Sequence, residues 1–417
     1  MNKQIIAAML ALPLALSAAF AQEAQSPTVK ISGFGTGALT WTNTDQAEFG
    51  RPNQASGVKK SPRTGVDSNL GLQANIGINN WLSFTAQGLV RKDAEEEYGA
   101  ELGWAFAKAK LTDQLSVRVG RIGLPTFMIS DYRNVGYANT FVRPPVEMYS
   151  QVPFNSIDGI DATYQHSVGD TTLTGQFALG GAEAPVAGDV TVRGKRLVAL
   201  NVLAEHGPFT FRASRVQADI SITGSGPLSS LLGGLRATGT GYRLPQLNGL
   251  ADELDPTDKK ASFTSVGLGM DWNKFVVQSE FAKRKVDAYV NDTTSWYLMG
   301  GYRIGKFLPY AIQSKVSIDG NSANTVPTTC PAGYPAACTP TVSALRAGVS
   351  RLPYTGVGQG EQSTTSIGVR WDFYRSLALK AQIDRVKPAA SGGLLLNPAA
   401  GFNRDVTVGA VALDFVF

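Results

Sequence analysis

Apolar and polar residues alternate with a period of two through segment after segment of this chain. In the terminal VALDFVF, Val411, Leu413, Phe415 and Phe417 alternate with Ala410, Ala412 and Asp414. Ile367, Val369, Trp371 and Phe373 alternate with Ser366, Gly368, Arg370 and Asp372. Leu377, Leu379 and Ile383 do so with Lys380, Gln382 and Asp384, and Phe275, Val277 and Phe281 with Gln278, Glu280 and Arg284. Leu70, Leu72, Ala74, Ile76 and Ile78 form a fifth such row. Successive side chains on a strand point to opposite faces, so each row predicts a strand with one apolar and one polar face. One such segment fits a soluble sheet as well. Repetition along the whole chain points instead to a membrane barrel, whose lipid-facing and lumen-facing residues alternate over segments of about 10 residues.

The pattern predicts strands near 28–40, 66–78, 81–92, 98–111, 115–122, 158–166, 171–181 and 193–205. Eight more follow near 208–217, 261–272, 275–287, 293–303, 306–318, 361–371, 375–387 and 404–417. Their connectors alternate in length. Asn79-Asn80, His206-Gly207, Asn273-Lys274 and Ile304-Gly305 are tight, and most carry the Asn or Gly that hairpin turns need. Long connectors run near 41–65, 123–157, 182–192, 218–260, 319–360 and 388–403, with briefer ones near 93–97 and 288–292. Short turns at one end and long loops at the other are the pattern of an outer-membrane barrel. The expected fold is all-β: a transmembrane antiparallel barrel of about 16 strands, residues 22–417, with both termini on the periplasmic side. Trp41, Trp81, Trp104, Trp272, Trp296 and Trp371 fall near strands or strand ends, where aromatic girdles would place them.

Composition narrows the class. Only 17% of the 417 residues are charged, against about 25% in ordinary soluble proteins, and Gly contributes 45. Beyond the first twenty-one residues no apolar run approaches the roughly 20 residues of a spanning helix. Met1 to Ala21 reads as a cleavable secretory signal: Lys3 for the positive end, Ile5 to Ala15 as the apolar stretch, and Ala19-Phe20-Ala21 as the cleavage site. Export leads to an oxidising compartment, and Cys330 and Cys338, eight apart in a Pro/Gly/Thr-rich stretch, suit a small disulfide-closed loop. The net charge of +5 comes from scattered cations, which argues against nucleic acid as a partner. Two His and two Cys leave little for metal chemistry, and no cofactor is expected.

The signal, the sixteen alternating segments and the terminal aromatic together resemble Gram-negative outer-membrane porins. The opening Gly33, Phe34, Gly35 and Gly37 is similar to a porin first strand. That resemblance implies a homotrimer in the cell outer membrane among lipid and lipopolysaccharide. It also implies Phe417 as a signal to the barrel assembly machinery, and a third loop folded into the lumen. The matching connector, 123–157, lacks the family's acidic Pro-Glu-Phe-type motif. Its length with no regular structure, and its apolar Phe127, Met128, Ile129, Phe141 and Val142, suit packing against the inner wall. Asp131, Arg133, Arg143 and Glu147 are then its candidates for the constriction. Strand parity puts Arg91, Arg118, Arg212, Arg284, Lys315, Arg370 and Lys380 on the polar face with Glu101, Asp161, Glu280, Asp372 and Asp384. Cations outnumber anions there, which leans toward anionic solutes. Arg215 beside Arg212 would extend a basic wall opposite Asp131 and Glu147. The cluster Arg193, Lys195 and Arg196 at a strand's outer end suits lipopolysaccharide phosphates equally.

The expected function is therefore passive diffusion of small hydrophilic solutes and ions through a water-filled channel. A substrate-selective channel, a barrel enzyme and an adhesin are the alternatives. An enzyme needs a His and acids brought together, but His166 and His206 both fall at short turns. Asp93, Glu95, Glu96 and Glu97 offer calcium ligands, although such a run is usually a solvated loop face. The Gly-rich run near 232–241 sits in a long loop without the strand–helix context of a phosphate-binding site.

Overall fold

A computed structural model describes residues 27–95, 98–319, 324–352, 360–389 and 392–417. The expected signal peptide lies outside the described residues, as do Glu96 and Glu97. The first eight strands are β1 (Thr28–Thr42), β2 (Asn69–Gly77), β3 (Leu82–Lys92), β4 (Tyr98–Lys110), β5 (Leu115–Gly123), β6 (Ser156–Val168), β7 (Thr171–Val186) and β8 (Val190–His206). The rest are β9 (Phe209–Thr223), β10 (Lys259–Trp272), β11 (Phe275–Val286), β12 (Thr293–Tyr302), β13 (Phe307–Ile318), β14 (Gln362–Tyr374), β15 (Leu377–Pro388) and β16 (Val406–Val416). Each pairs antiparallel with its sequence neighbours, and β1 pairs with β16 to close the barrel. Closure leaves no sheet edge unpaired at the seam, as a wall in lipid requires.

The two faces separate as the alternation predicts. Ile367 and Ile383 are 60% and 54% exposed on the outside, while their neighbours Ser366 and Asp384 are buried inside. At the short-turn end, Trp81, Phe209, Trp272, Phe275, Tyr302, Phe307, Trp371 and Tyr374 stand exposed as an aromatic belt. Asn273 and Gly207 hold positive φ, 54° and 52°, in two of those turns. Three expectations are corrected. Trp104 is not in a girdle: it pairs with Gln87 on the lumen face and lines the cavity there, because β4 carries a bulge beside it. Lys315 points outward opposite Trp296, since the inward positions of β13 are Leu308, Tyr310, Ile312, Ser314 and Val316. Arg215 likewise points outward, bonding Thr264, and adds nothing to a lumen wall.

At the barrel seam, the Phe417 N–H donates to the Gly33 carbonyl at 2.9 Å, and the Phe417 carbonyl accepts the Gly33 N–H at 2.9 Å. Its ring lies over Gly33 so closely that a Cβ there would come within 2.2 Å of it. Glycine and terminal aromatic thus complete one closure.

The long-loop end holds structure that the strand pattern does not predict. The β9–β10 connector forms two helices, α2 (Gly226–Gly241) and α3 (Pro245–Leu254), and the β13–β14 connector forms α4 (Cys338–Val349). Leu228, Leu232 and Leu235 of α2 pack with Leu247, Leu250 and Leu254 of α3 and Val342 and Val349 of α4. The Cys330–Cys338 disulfide, with Cα atoms 6.0 Å apart, ties the start of α4 to the loop before it. The glycines that suggested a plain loop are within α2, whose apolar positions repeat at helical spacing.

Candidate functional site

The β5–β6 connector turns into the barrel and runs along its inner wall. Phe127, Ile129, Phe141, Met148, Tyr149, Val152 and Phe154 are buried among inward residues of the wall, including Val216, Phe263, Tyr297 and Ile312. Each large apolar side chain buried this way contributes roughly 1.5–3 kcal/mol, so the loop's apolar content alone favours the inward course. A single helical turn, α1 (Val146–Tyr149), lies against β12 and β13.

Polar anchors from nearly every strand of that side hold the loop. Ser214 and Ser265 both donate to the Thr126 carbonyl at 2.8 Å. Glu280 accepts the Met128 N–H at 2.9 Å and the hydroxyls of Tyr149 and Tyr297 at 2.5 and 2.8 Å. Arg212 donates to Asn201 at 2.7 Å and reaches the Met128 carbonyl at 3.3 Å. Arg370 donates to the carbonyls of Tyr137 and Asn139, and Lys380 to those of Gly136, Asn139 and Phe141. Lys380 also pairs with Asp414 at 2.8 Å, and Asp414 accepts from Thr36 at 2.6 Å. Gly136 lets the loop pass over this pair: a Cβ would lie 2.1 Å from the Asp414 carboxylate.

The tightest anchor is Arg143. Its guanidinium grips Asp67 in a bidentate pair at 2.6–3.1 Å and Asp384 at 2.5 Å, all three side chains being at most 3% exposed. Burial alone would push the Asp67 carboxyl up, but Arg143, seconded by Arg51 and Thr40, holds it below the ordinary aspartate range. Burial likewise works against the Arg143 charge, and Asp67 and Asp384 more than offset it. Glu147 is 1% exposed and accepts from Ser314 at 2.8 Å, Gln362 at 2.8 Å and Thr364. Arg143 and Glu147 therefore face the wall, contrary to the expectation that they border the channel. Arg212, Glu280, Lys380 and Asp384 are on the inner face as parity predicts, yet the loop covers them. Arg284, half-buried, donates to the carbonyls of Gln151 and Asn291.

What remains open is the side the loop leaves bare. A cavity of about 280 Å³ lies between Ser130–Val135 and the wall residues Phe34, Gln87, Leu89, Arg91 and Glu101–Trp104. Asp131 is exposed to it, and Arg91 pairs with Glu101 at 2.9 Å across its rim. Beside it, Arg51 of the first loop, Arg91 of β3 and Arg133 of the third loop converge on one small pocket. Arg51 and Arg133 make no ion pair among the described residues. Desolvation, then repulsion from Arg91 and Arg51, pulls Arg133 below the ordinary arginine value. Arg51 is pulled down by desolvation and by Arg91 and Arg143, against Asp67. A guanidinium stays protonated in proteins, so the cost of crowding is one that an arriving anion relieves. Arg118 sits elsewhere on the inner wall, paired with Asp161 and lying over the Phe106 ring at 5.1 Å.

The residues of the other readings are dispersed. His166 and His206 lie exposed at the short-turn end, bonded to Gln114 and Thr171. Asp93 bonds the Glu95 N–H at 2.9 Å, closing its own turn. Among the described residues no group of three potential metal ligands forms. Arg193 and Arg196 point into pairs with Glu183 and Asp219.

No protein-family model and no curated protein sequence matches the chain. Solved structures do. OmpF of Salmonella typhi, in complex with daunomycin, is similar with a TM-score of 0.55 and 14% identity over 93% of this chain and 97% of its own. The anion-selective porin of Comamonas acidovorans gives 0.53 and 12% over 94% and 100%. OmpT, an outer membrane protein of Vibrio cholerae, gives 0.53 and 12% over 95% and 99%. At such identities the likeness speaks for architecture, and with the closed ring of strands it makes this chain a sixteen-stranded barrel of the porin fold.

Proposed function

We propose that the chain is an outer-membrane channel through which small hydrophilic solutes and ions diffuse passively, with a bias toward anions. The observation that carries this reading is the division of the lumen. One side is filled by an anchored loop; the gap on the other is lined by Arg133 and exposed Asp131, with Arg51 in the adjoining pocket, and neither arginine makes an ion pair among the described residues. Sixteen strands enclose more width than side chains can fill, so the loop sets the opening. The unneutralised cations set the sign of the field across it. The anion-selective porin among the similar folds supports the same sign. A homotrimer, lipopolysaccharide contact through Arg193, Lys195 and Arg196, removal of residues 1–21 and recognition of Phe417 by the assembly machinery complete the proposal. Planar-bilayer recordings across a salt gradient test it. Stepwise openings with an anion-selective reversal potential are the expected result. Silence from folded, inserted protein would return the enzyme and adhesin readings.

A further inference from the structure

Lumen walls of water-filled barrels are polar, and the inner face of β9 to β11 follows that rule in only one half. Toward the short turns its inward residues are Arg212, Ser214, Ser265 and Glu280. Toward the long loops they become Val216, Ala218, Ile220 and Ile222 on β9, Ala261 and Phe263 on β10, and Val286 on β11. These residues surround a cavity of about 260 Å³ whose floor is the third loop at Ser150–Phe154. The helices at that end do not fill it, because their leucines form a separate cluster containing none of these side chains.

Among the described residues Arg284 is the one charged group lining this cavity. Its guanidinium bonds two neutral carbonyls, those of Gln151 and Asn291, and makes no ion pair among the described residues. The cavity also adjoins the arginine pocket, sharing Asn53, Val152 and Pro153 with it. An apolar wall with the Arg284 guanidinium at its foot and the arginine pocket beyond is complementary to a molecule with an apolar body and one negative head. The volume falls just under the roughly 300–1,000 Å³ of drug-sized sites, which favours a single ring or a short branched chain over a fused system.

We propose that this outer vestibule is a binding site for small amphipathic organic anions, monocarboxylates with one aromatic or branched aliphatic body. The site holds the body against Val216, Ile220 and Phe263 and the head toward Arg284, one step before Arg51 and Arg133. It rests on the channel reading, since it loads the solute at the mouth of the proposed path.

The test records single channels in potassium chloride with 4-phenylbutyrate, butyrate or 4-phenylbutanol added at the long-loop side. The expected result is a saturable current reduction by 4-phenylbutyrate where butyrate has none. Ile220→Thr should weaken that block roughly tenfold while leaving the chloride conductance unchanged, which also certifies the fold. Arg284→Gln should weaken the block by 4-phenylbutyrate but not the interaction with 4-phenylbutanol. Should Ile220→Thr fail to insert, Val192→Thr probes the same wall from β8. Open channels that treat 4-phenylbutyrate and butyrate alike would overturn the site and spare the channel. So would Ile220→Thr raising the salt conductance without touching the block, which would make the patch a dewetting barrier. A silent wild type would sink the channel reading alone, and calorimetry of 4-phenylbutyrate with the detergent-folded protein would then decide the site.

Discussion

Arg143, Arg370 and Lys380 carry the same charge as Arg51 and Arg133, in different surroundings. The first three donate to carboxylates and loop carbonyls, and Arg143 and Lys380 are almost wholly buried. They act as fasteners, and little of their charge is left to act on a passing ion. Arg51 and Arg133 make no ion pair among the described residues and line a small pocket, Arg133 bordering the larger cavity as well. Counting cations on the polar faces of strands therefore misjudges a channel's field. Which cations are left unneutralised decides it, and that depends on where the third loop lies.

The largest effect is expected at Arg143. Arg143→Met leaves Asp67 and Asp384 buried and unpaired, a loss of about 3–5 kcal/mol by the usual cost of halving a buried pair. The loop should detach, with a larger single-channel conductance and a lower unfolding temperature of the barrel. Acid reaches the same fastener more gently. Asp67 is held below the ordinary aspartate value of about 3.9, so its contribution is present above that pH and lost only as pH falls through the lower folded value. Conductance should stay level down to about pH 4 and rise below it. A rise beginning near pH 5 would show that Asp67 is not the group in control.

Next in size is the outer helical cluster. The Cys330–Cys338 bridge closes a loop of sequence separation 8, for which chain entropy gives about 2.5 kcal/mol. A Cys330→Ser/Cys338→Ser double variant should expose α4 to proteolysis and leave barrel melting and ion selectivity alone. A change in selectivity would mean that the cap reaches the opening.

Most of the barrel was legible because a single-layered wall with an apolar outer face and a polar inner face imposes period two on its strands. β16 and the terminal Phe417 just beyond it follow the same alternation. The glycines and Phe417 were each visible in sequence, but their contact across the seam joins residues nearly 400 positions apart. The helices were not read, since Ser225 to Leu254 is rich in Gly, Ser and Thr, although Leu228, Leu232 and Leu235 carried the period. Parity placed Arg212, Glu280, Lys380 and Asp384 correctly on the inner face. It could not show that a loop from β5 covers them, which is a matter of tertiary packing. Arg51 comes from the first loop, where no periodicity assigns a direction; Asp67 falls within the expected strand 66–78 but lies just ahead of β2, and its partner Arg143 comes from the third loop. At Lys315 parity fails because the apolar face of β13 is the inner one: Tyr310 and Ile312 pack against the loop inside.

Single-charge substitutions at the opening should leave the fold undisturbed. Arg133→Gln removes a half-buried cation that makes no ion pair among the described residues, so stability should hold within about 0.5–1 kcal/mol. The reversal potential in a salt gradient should move toward zero, and Arg51→Gln should add to the shift.

Lys315→Gln sets the lower bound. It deletes the same unit of charge from an exposed outward position opposite Trp296, across the barrel wall from the lumen. At 0.1 M salt, charges separated by more than about 10 Å are largely screened, so the expected shift of reversal potential is nil. Arg133→Gln and Lys315→Gln alter net charge identically, and any difference between them measures position alone. Equal shifts would mean that overall charge sets selectivity, and the distinction between fastening and field-setting arginines would fall with it.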